Sequence, residues 1–158
     1  MTSTNAFADN LPLHQGQALP GAPRLPLVGR QADLDAARAL LETGIPLQLV
    51  GLPGVGKTAL AHTLALDYIQ QPGGVLWLEN ADETALALAN RVARAYGVPT
   101  CAARDEDEVF AFFRQVHGVL LEQRPLVVLD GRVRPEAARE FVRACAPGIP
   151  LILTATRP

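Results

Sequence analysis

A glycine-rich segment between a short apolar run and a predicted helix carries the spacing G-x-x-x-x-G-K-[ST]. The fixed positions of this pattern are Gly51, Gly56, Lys57 and Thr58. Glycines allow a tight turn in which successive backbone N–H groups point into one hollow and can bind phosphate oxygens. The helix N-terminus that follows adds a partial positive charge there. We expect the lysine to reach the β- and γ-phosphates and the threonine hydroxyl to bind Mg²⁺. The segment therefore predicts a nucleotide-binding protein.

A carboxylate at the end of a later apolar run is the second candidate ligand. Asp130 closes the run LVVLD at 126–130. An aspartate at such a strand end, known as the Walker B position, holds Mg²⁺ directly or through water. The alternative is an ordinary loop aspartate that caps the next turn. The phosphate-binding pattern upstream favours the metal role.

The residue that would activate water is harder to assign. Many ATPases carry a second acid directly after the Walker B aspartate, whereas this chain has Gly131. Glu79, which follows the second predicted strand, could act as a substitute base or could simply face solvent. Arg157 could clamp the γ-phosphate through paired hydrogen bonds, or could be an exposed arginine. Arg132 and Arg134 are expected at the surface.

Four short apolar runs alternate with segments of helical periodicity, and these elements must position the candidate residues. Strands separated by helices predict an α/β fold of three layers, with a parallel sheet covered by helices on both faces. Such sheets bind ligands at the carboxyl ends of their strands, where Lys57, Asp130 and residues 154–157 all fall. Asn80 and Glu83 are predicted to cap the third helix as a pair. The predicted strands are 47–50, 75–78, 126–130 and 151–155.

The organisation of the chain is predicted from its composition. At 158 residues it is long enough for one domain with a sizeable core. Residues 1–26 are rich in proline and glycine and show no period, so they are expected to form a linker or disordered tail. Residues 27–158 are expected to form the nucleotide-binding domain.

Charge and cysteine content exclude several classes of function. The formal net charge is −2 and no basic block occurs, so direct nucleic-acid binding is not expected. The two cysteines lack C-x-x-C spacing, which favours a reducing compartment and no cysteine metal site. The N-terminal residues lack the pattern of a signal peptide, and no run of about 18 apolar residues predicts a membrane span. A cytoplasmic location without membrane partners is the expectation.

Four motifs taken together resemble a known family. These are VGR at 28–30, GLPGVGKTALA at 51–61, LVVLD at 126–130 and LILTATR at 151–157. Their order and spacing over 27–158 are similar to those of the NB-ARC branch of the STAND P-loop ATPases, a group related to AAA+ proteins. The first and last motifs make the resemblance more specific than a P-loop and a Walker B aspartate alone.

The resemblance implies a P-loop NTPase core that binds ATP or ADP with Mg²⁺. Val28 and Arg30 would contact the adenine side of the nucleotide, and Arg157 would be the sensor arginine. Thr58 and Asp130 would hold the metal. The nucleotide-contacting loop would comprise Gly51, Pro53, Gly54, Val55, Gly56, Lys57, Thr58 and Ala59.

The resemblance also sets an expectation for topology. The strand order would be 2-3-4-1. The family continues into a fifth strand, a small helical domain and a winged helix, none of which fits in 158 residues. The chain is therefore expected to be a fragment of a larger protein or a minimal version of the family.

Three functions are argued from these residues, and a small-molecule kinase is a further alternative for which the sequence shows no arginine-rich lid or acceptor site. The first is a regulatory switch in signal transduction, with slow ATP hydrolysis at most, whose ATP or ADP state controls oligomerisation or an attached effector. The second is an ordinary AAA+-like ATPase whose base is Glu79 or comes from a partner. The third is an interaction domain that no longer uses nucleotide. Gly131 argues against the second, and the intact pair Lys57 and Thr58 argues against the third. Protein partners, or self-association through a larger chain, are expected in addition to nucleotide.

Overall fold

The computed structural model describes residues 11–79, 83–102 and 105–156. Within these ranges the chain forms four strands and five helices, which alternate along most of the sequence. The strands are β1 (Leu47–Val50), β2 (Val75–Glu79), β3 (Leu126–Asp130) and β4 (Leu151–Ala155). The helices are α1 (Gln31–Glu42), α2 (Lys57–Ile69), α3 (Ala85–Ala95), α4 (Glu106–Gln123) and α5 (Pro135–Cys145).

All strand pairs are parallel, and the sheet order is β1-β4-β3-β2. Read from the other edge, this is the order 2-3-4-1 that the family resemblance implies, so that prediction is confirmed. Parallel neighbours need crossover connections, and the helices supply them. The carboxyl ends of all strands consequently lie at one edge of the sheet.

Alternate side chains of the strands enter two separate cores, one on each face of the sheet. In β2, Val75 and Trp77 belong to the core beneath α1 and α2, whereas Leu76 and Leu78 belong to the core beneath α3, α4 and α5. Because both faces are covered, the strands are apolar throughout rather than alternating. The predicted three-layer α/β fold of a P-loop NTPase core is confirmed.

Helix starts follow from local chemistry. The acidic first turn of α4 is capped by Asp105, whose carboxylate accepts the Glu108 N–H at 2.9 Å. The cap of α3 is Thr84, which accepts the Ala87 N–H at 3.1 Å. The predicted capping by Asn80 and Glu83 is therefore wrong, and Asn80 itself lies outside the described residues. Thr84 directly precedes the helix, so its hydroxyl is placed to accept that N–H.

The segment of residues 11–26, here called the N-terminal segment, packs against the domain. Leu13 pairs with Val75 in an antiparallel bridge, with N–H···O distances of 2.7 and 2.8 Å. Leu19 is buried in the core beneath α1 and α2. The Pro20 carbonyl accepts a hydrogen bond from His62 on α2 at 2.7 Å. The segment thus runs from the edge of β2 across α2.

Candidate functional site

The loop between β1 and α2 uses its glycines for conformation and for space. Gly54 and Gly56 have φ values of +85° and +92°, which side chains rarely adopt. At Gly51 the constraint is space, because a Cβ there would lie 2.7 Å from Val55 Cγ2. The Gly51 N–H also donates to Ala155 at 3.2 Å, which extends the pairing of β1 with β4 into the loop. The loop is therefore tightly wound directly above the sheet.

Helix α2 begins at Lys57, and its N-cap is Gly56, which has no side chain to satisfy the first N–H groups. A helix N-terminus of this kind is suited to an anion, since the free N–H groups and the dipole act together. The glycine-rich loop therefore leads directly into a helix N-terminus that can donate backbone hydrogen bonds. This is the chemistry that the G-x-x-x-x-G-K-[ST] spacing predicts.

Lys57 reaches across the loop. Its Nζ donates to the carbonyl oxygens of Gly51 and Leu52, at 2.6 and 2.9 Å. An ammonium group has three donors, so two bonds to the loop leave one for a further acceptor. The lysine thus connects the start of α2 to the beginning of the loop, and its ammonium group lies beside the loop carbonyls.

Three polar side chains meet at one carboxylate oxygen beneath the loop. The Thr58 hydroxyl donates to Asp130 Oδ1 at 3.0 Å, and the Thr154 hydroxyl donates to the same oxygen at 2.7 Å. Asp130 and Thr154 are both buried, with 8% and 3% exposure. The sequence places Thr58 and Asp130 72 residues apart, yet the structure brings them into direct contact.

The donor set at this point fits Mg²⁺. A hydroxyl oxygen and a carboxylate, both hard oxygen ligands, are the groups that Mg²⁺ accepts alongside water and phosphate. Thr58 and Asp130 supply them within hydrogen-bonding distance of one another. The two residues that the sequence nominates as metal ligands are therefore chemically suited to hold the ion together.

Arg30 lies beside the loop, whereas Val28 extends into solvent. The Arg30 guanidinium donates to the Val55 carbonyl at 3.2 Å and forms an ion pair with Asp33 at 3.0 Å. Val28 is 88% exposed. Arg30 thus connects the start of α1 to the loop, and adenine contact by Val28 and Arg30 stays a prediction.

Glu79 ends β2 and is the register partner of Asp130 in β3. Its side chain is exposed, and its backbone carbonyl accepts a hydrogen bond from Arg91 at 3.0 Å. A carboxylate at this strand end therefore lies one strand away from Asp130, on the edge of the sheet that carries the carboxyl ends of the strands.

Arg157, the predicted sensor, lies outside the described residues.

A cleft of about 1120 Å³ connects the loop with α5. Lys57, Thr58 and Asp130 line one part of it. Sequence reasoning missed that four arginines line the other part, although their clustering after the Walker B aspartate is visible in the sequence. They are Arg132, Arg134, Arg139 and Arg143. The first two, predicted at the surface, thus also border the cleft, which adds positive charge beside the carboxylate.

Comparisons with known proteins show a likeness in fold. The chain is similar to the crystal structure of Cdc6p from Pyrobaculum aerophilum, with a TM-score of 0.66 and 20% sequence identity. The likeness covers 87% of this chain and 42% of that one, so the chain spans less than half the length of Cdc6p. At this level of identity the likeness shows the fold alone, which is that of a P-loop NTPase core. No family model matches the chain, and no curated protein matches it.

Two absences hold for the part of the chain that the structure describes. None of its helices is both long and apolar enough to cross a membrane. The same residues contain no group of three or more His, Cys, Asp and Glu side chains placed to hold a metal ion.

Proposed function

We propose that the chain is an ATP- and ADP-binding module whose nucleotide state regulates oligomerisation or an attached effector, as in the STAND group that its motifs resemble. The observation that carries the proposal is the hydrogen bond from Thr58 to Asp130. It joins the phosphate-binding loop to the Walker B position, and a chance match to the loop pattern has no reason to produce it.

Each residue at the site has a distinct role in this proposal. The loop N–H groups and Lys57 bind the β- and γ-phosphates, and Thr58 and Asp130 hold Mg²⁺. When bound, the ion neutralises phosphate charge and orients the phosphate oxygens. Arg30 holds the loop through its bond to Val55, and in this proposal it contacts the adenine side of the nucleotide together with Val28.

Regulation rather than rapid hydrolysis is favoured by the residue after Asp130. Gly131 has a φ of +93° and carries no side chain that could orient water. Its N–H donates to Thr154 at 3.1 Å, so the residue serves the geometry of the carboxylate instead. A module that binds nucleotide tightly and turns it over slowly keeps two long-lived states, which a switch requires.

A second candidate, an ordinary ATPase with a substitute base, is favoured by one observation. Glu79 is the register partner of Asp130 at the same edge of the sheet. A carboxylate there could accept a proton from water if a bound γ-phosphate brought the water within reach. Steady-state turnover distinguishes this candidate from the switch.

Calorimetry with ADP and Mg²⁺ tests the binding proposal. Lys57→Ala removes a full positive charge from the loop, and a charge-assisted contact is worth roughly 1.5–3 kcal/mol, so affinity should fall at least about tenfold. Arg94→Ala removes the same charge from the exposed end of α3 and is the matched control. Equal affinity of Lys57→Ala and the wild-type chain, with both folded, rejects nucleotide binding at this loop.

The switch itself is tested by comparing nucleotide states. Light scattering would measure the molecular mass of the chain with ADP and with a non-hydrolysable ATP analogue. A mass that differs between the two supports control of self-association by nucleotide. The same mass in both states rejects oligomerisation as the output of this chain and leaves an attached effector as the proposed target.

A further inference from the structure

The N-terminal segment reaches the metal-binding threonine from outside the loop. Pro20 is fixed by His62 of α2, one turn after Thr58. Because a carbonyl oxygen can only accept, the His62 ring must carry its proton on Nδ1. Leu19, the preceding residue, is buried in the core beneath α1 and α2. The chain is thus held firmly immediately before Gly21.

Gly21 packs directly on Thr58. A Cβ at residue 21 would lie 2.5 Å from Thr58 Cγ2 and 3.1 Å from the Thr58 carbonyl oxygen. The φ of Gly21 is +74°, so a side chain would also be strained by the backbone. No side chain fits here unless Thr58 moves.

The positions of the hydroxyl and the methyl group of Thr58 are therefore both fixed by contacts. Its hydroxyl donates to Asp130 and its methyl lies against Gly21. The two groups share one torsion, χ1, so displacing the methyl rotates the hydroxyl away from the carboxylate. Within a helix a threonine otherwise divides between two rotamers, because its hydroxyl can also bond to a carbonyl of the preceding turn.

We propose that Gly21 is a positioning residue for the metal site, and that the N-terminal segment fixes the rotamer in which Thr58 presents its hydroxyl beside Asp130. The proposal rests on the proposed function in one respect, since Thr58 is taken there as a Mg²⁺ ligand. It gives residues 11–26 a role in the site, where their composition predicts only a linker or tail. Gly21 acts through Thr58 and touches no substrate.

The chain offers a matched control in the same segment. Gly16 has a φ of +90°, and a Cβ there would meet no atom within 4 Å. Gly16→Ala therefore introduces the backbone strain of a left-handed alanine without a clash. Gly21→Ala introduces similar strain and the clash with Thr58. A difference between the two variants measures the contact.

The readout is the Mg²⁺ dependence of ADP affinity, taken as the ratio of the dissociation constants in EDTA and in Mg²⁺. Gly21→Ala should lower this ratio about fivefold or more, the size expected for one misplaced contact to a charged group. Gly16→Ala should leave the ratio within about twofold of wild type. A general loss of stability would weaken affinity in both conditions and leave the ratio unchanged.

A second substitution tests whether the methyl is the cause. Thr58→Ser keeps the hydroxyl, which the motif allows, and removes the atom that residue 21 would strike. In the Thr58→Ser background, Gly21→Ala should therefore change the ratio by less than about twofold. A ratio that falls equally in both backgrounds overturns the proposal, as does a ratio that Gly21→Ala leaves unchanged.

Two further measurements keep the outcome decisive. If Gly21→Ala does not fold, His62→Ala loosens the segment without a clash and should lower the ratio in the same direction, whereas no change overturns the proposal. If the wild-type chain binds no ADP, the proposed function fails. The rotamer is then decided by NMR, from three-bond couplings to the Thr58 methyl in free protein. A single Thr58 rotamer in the wild-type chain that is lost in His62→Ala supports positioning by the N-terminal segment. Averaged rotamers in the wild-type chain, or the same single rotamer in His62→Ala, overturn the proposal.

Discussion

The Thr154 hydroxyl donates to Asp130 Oδ1 at 2.7 Å, the shortest of the bonds that this oxygen receives from side chains in the described residues. Thr154 Oγ1 itself accepts the Gly131 N–H at 3.1 Å, which directs its only proton toward the carboxylate. A single carboxylate oxygen thereby links α2, β3 and β4. The orientation of Asp130 is therefore set before any ligand is bound.

Thr154→Val should uncouple this carboxylate from β4. The substitution has nearly the same shape but removes the hydroxyl, so a buried charged group loses a donor and the Gly131 N–H loses its acceptor. We expect the free energy of unfolding to fall by about 1–3 kcal/mol in urea denaturation. The Mg²⁺ dependence of ADP affinity should fall as well.

Thr154→Ser is the control, because it keeps the hydroxyl and loses only the methyl group. It should retain most of the stability that Thr154→Val loses. If both variants unfold at the same urea concentration, the methyl group contributes as much to stability as the hydroxyl does, and the hydrogen bond has no special weight. If Thr154→Val matches wild type, the bond does not hold Asp130.

The layers of the fold could be predicted from the sequence because its periods are clear. The apolar runs that become β3 and β4 are continuous, as strands covered on both faces must be, and each lies beside a segment of helical period. The position of Thr58 and Asp130 at the same edge of the sheet was predictable, because parallel strands bring their carboxyl ends to one edge. The order of the strands came from the family resemblance and not from the periods.

Other contacts depend on tertiary structure and leave no local pattern. Leu19 is a single apolar residue among prolines and glycines, so nothing in its neighbourhood predicts that it enters a core. Gly21 reads as a turn residue, whereas its packing on Thr58 needs the folded α2. Arg139 and Arg143 are four residues apart on α5, which predicts a shared helical face but not the cleft that the face borders.

Cys145 should resist thiol reagents in the folded protein. Burial, together with the charge of Glu140, raises the pKa of the Cys145 thiol to about 12, so the reactive thiolate is scarce near neutral pH. A maleimide should label Cys145 only in urea, and raising the pH from about 7 to about 9 should not change this, since both values lie below that pKa. Mass spectrometry of labelled peptides measures the outcome.

Cys101 serves as the internal comparison, since it is only half-buried. Cys145→Ala should remove one label in urea and none in buffer. Rapid labelling of Cys145 in buffer would mean that α5 opens locally, and the core beneath it would then be less well packed than the structure indicates.

Arg157 should distinguish ATP from ADP if it is the sensor that the family resemblance implies. A guanidinium that reaches only the γ-phosphate adds affinity for one of the two nucleotides, and only such a difference can bias a switch. Arg157→Ala should weaken binding of a non-hydrolysable ATP analogue about tenfold and leave ADP nearly unaffected. Calorimetry with both nucleotides measures this, with Arg94→Ala as the control. Equal losses for both nucleotides would assign Arg157 to structural support.

Turnover of ATP should be slow because no acid follows Asp130. Gly131 supplies no carboxylate beside Asp130, and Glu79, the register partner of Asp130 on the neighbouring strand, has its side chain exposed to solvent. Because the Glu79 side chain is exposed, water solvates its carboxylate, and no contact within the described residues holds that carboxylate toward a bound phosphate as a general base requires. We expect a steady-state rate of phosphate release far below the typical enzyme median of about 10 s⁻¹.

Glu79→Gln separates the two candidate functions, because it removes the charge and keeps the size of the side chain. If the chain is a switch, Glu79→Gln should leave the slow rate unchanged, whereas Lys57→Ala should abolish it together with binding. A rate near the enzyme median that Glu79→Gln eliminates would identify Glu79 as the base. Hydrolysis would then be the function of the site, since a nucleotide consumed within a second cannot maintain a long-lived signalling state.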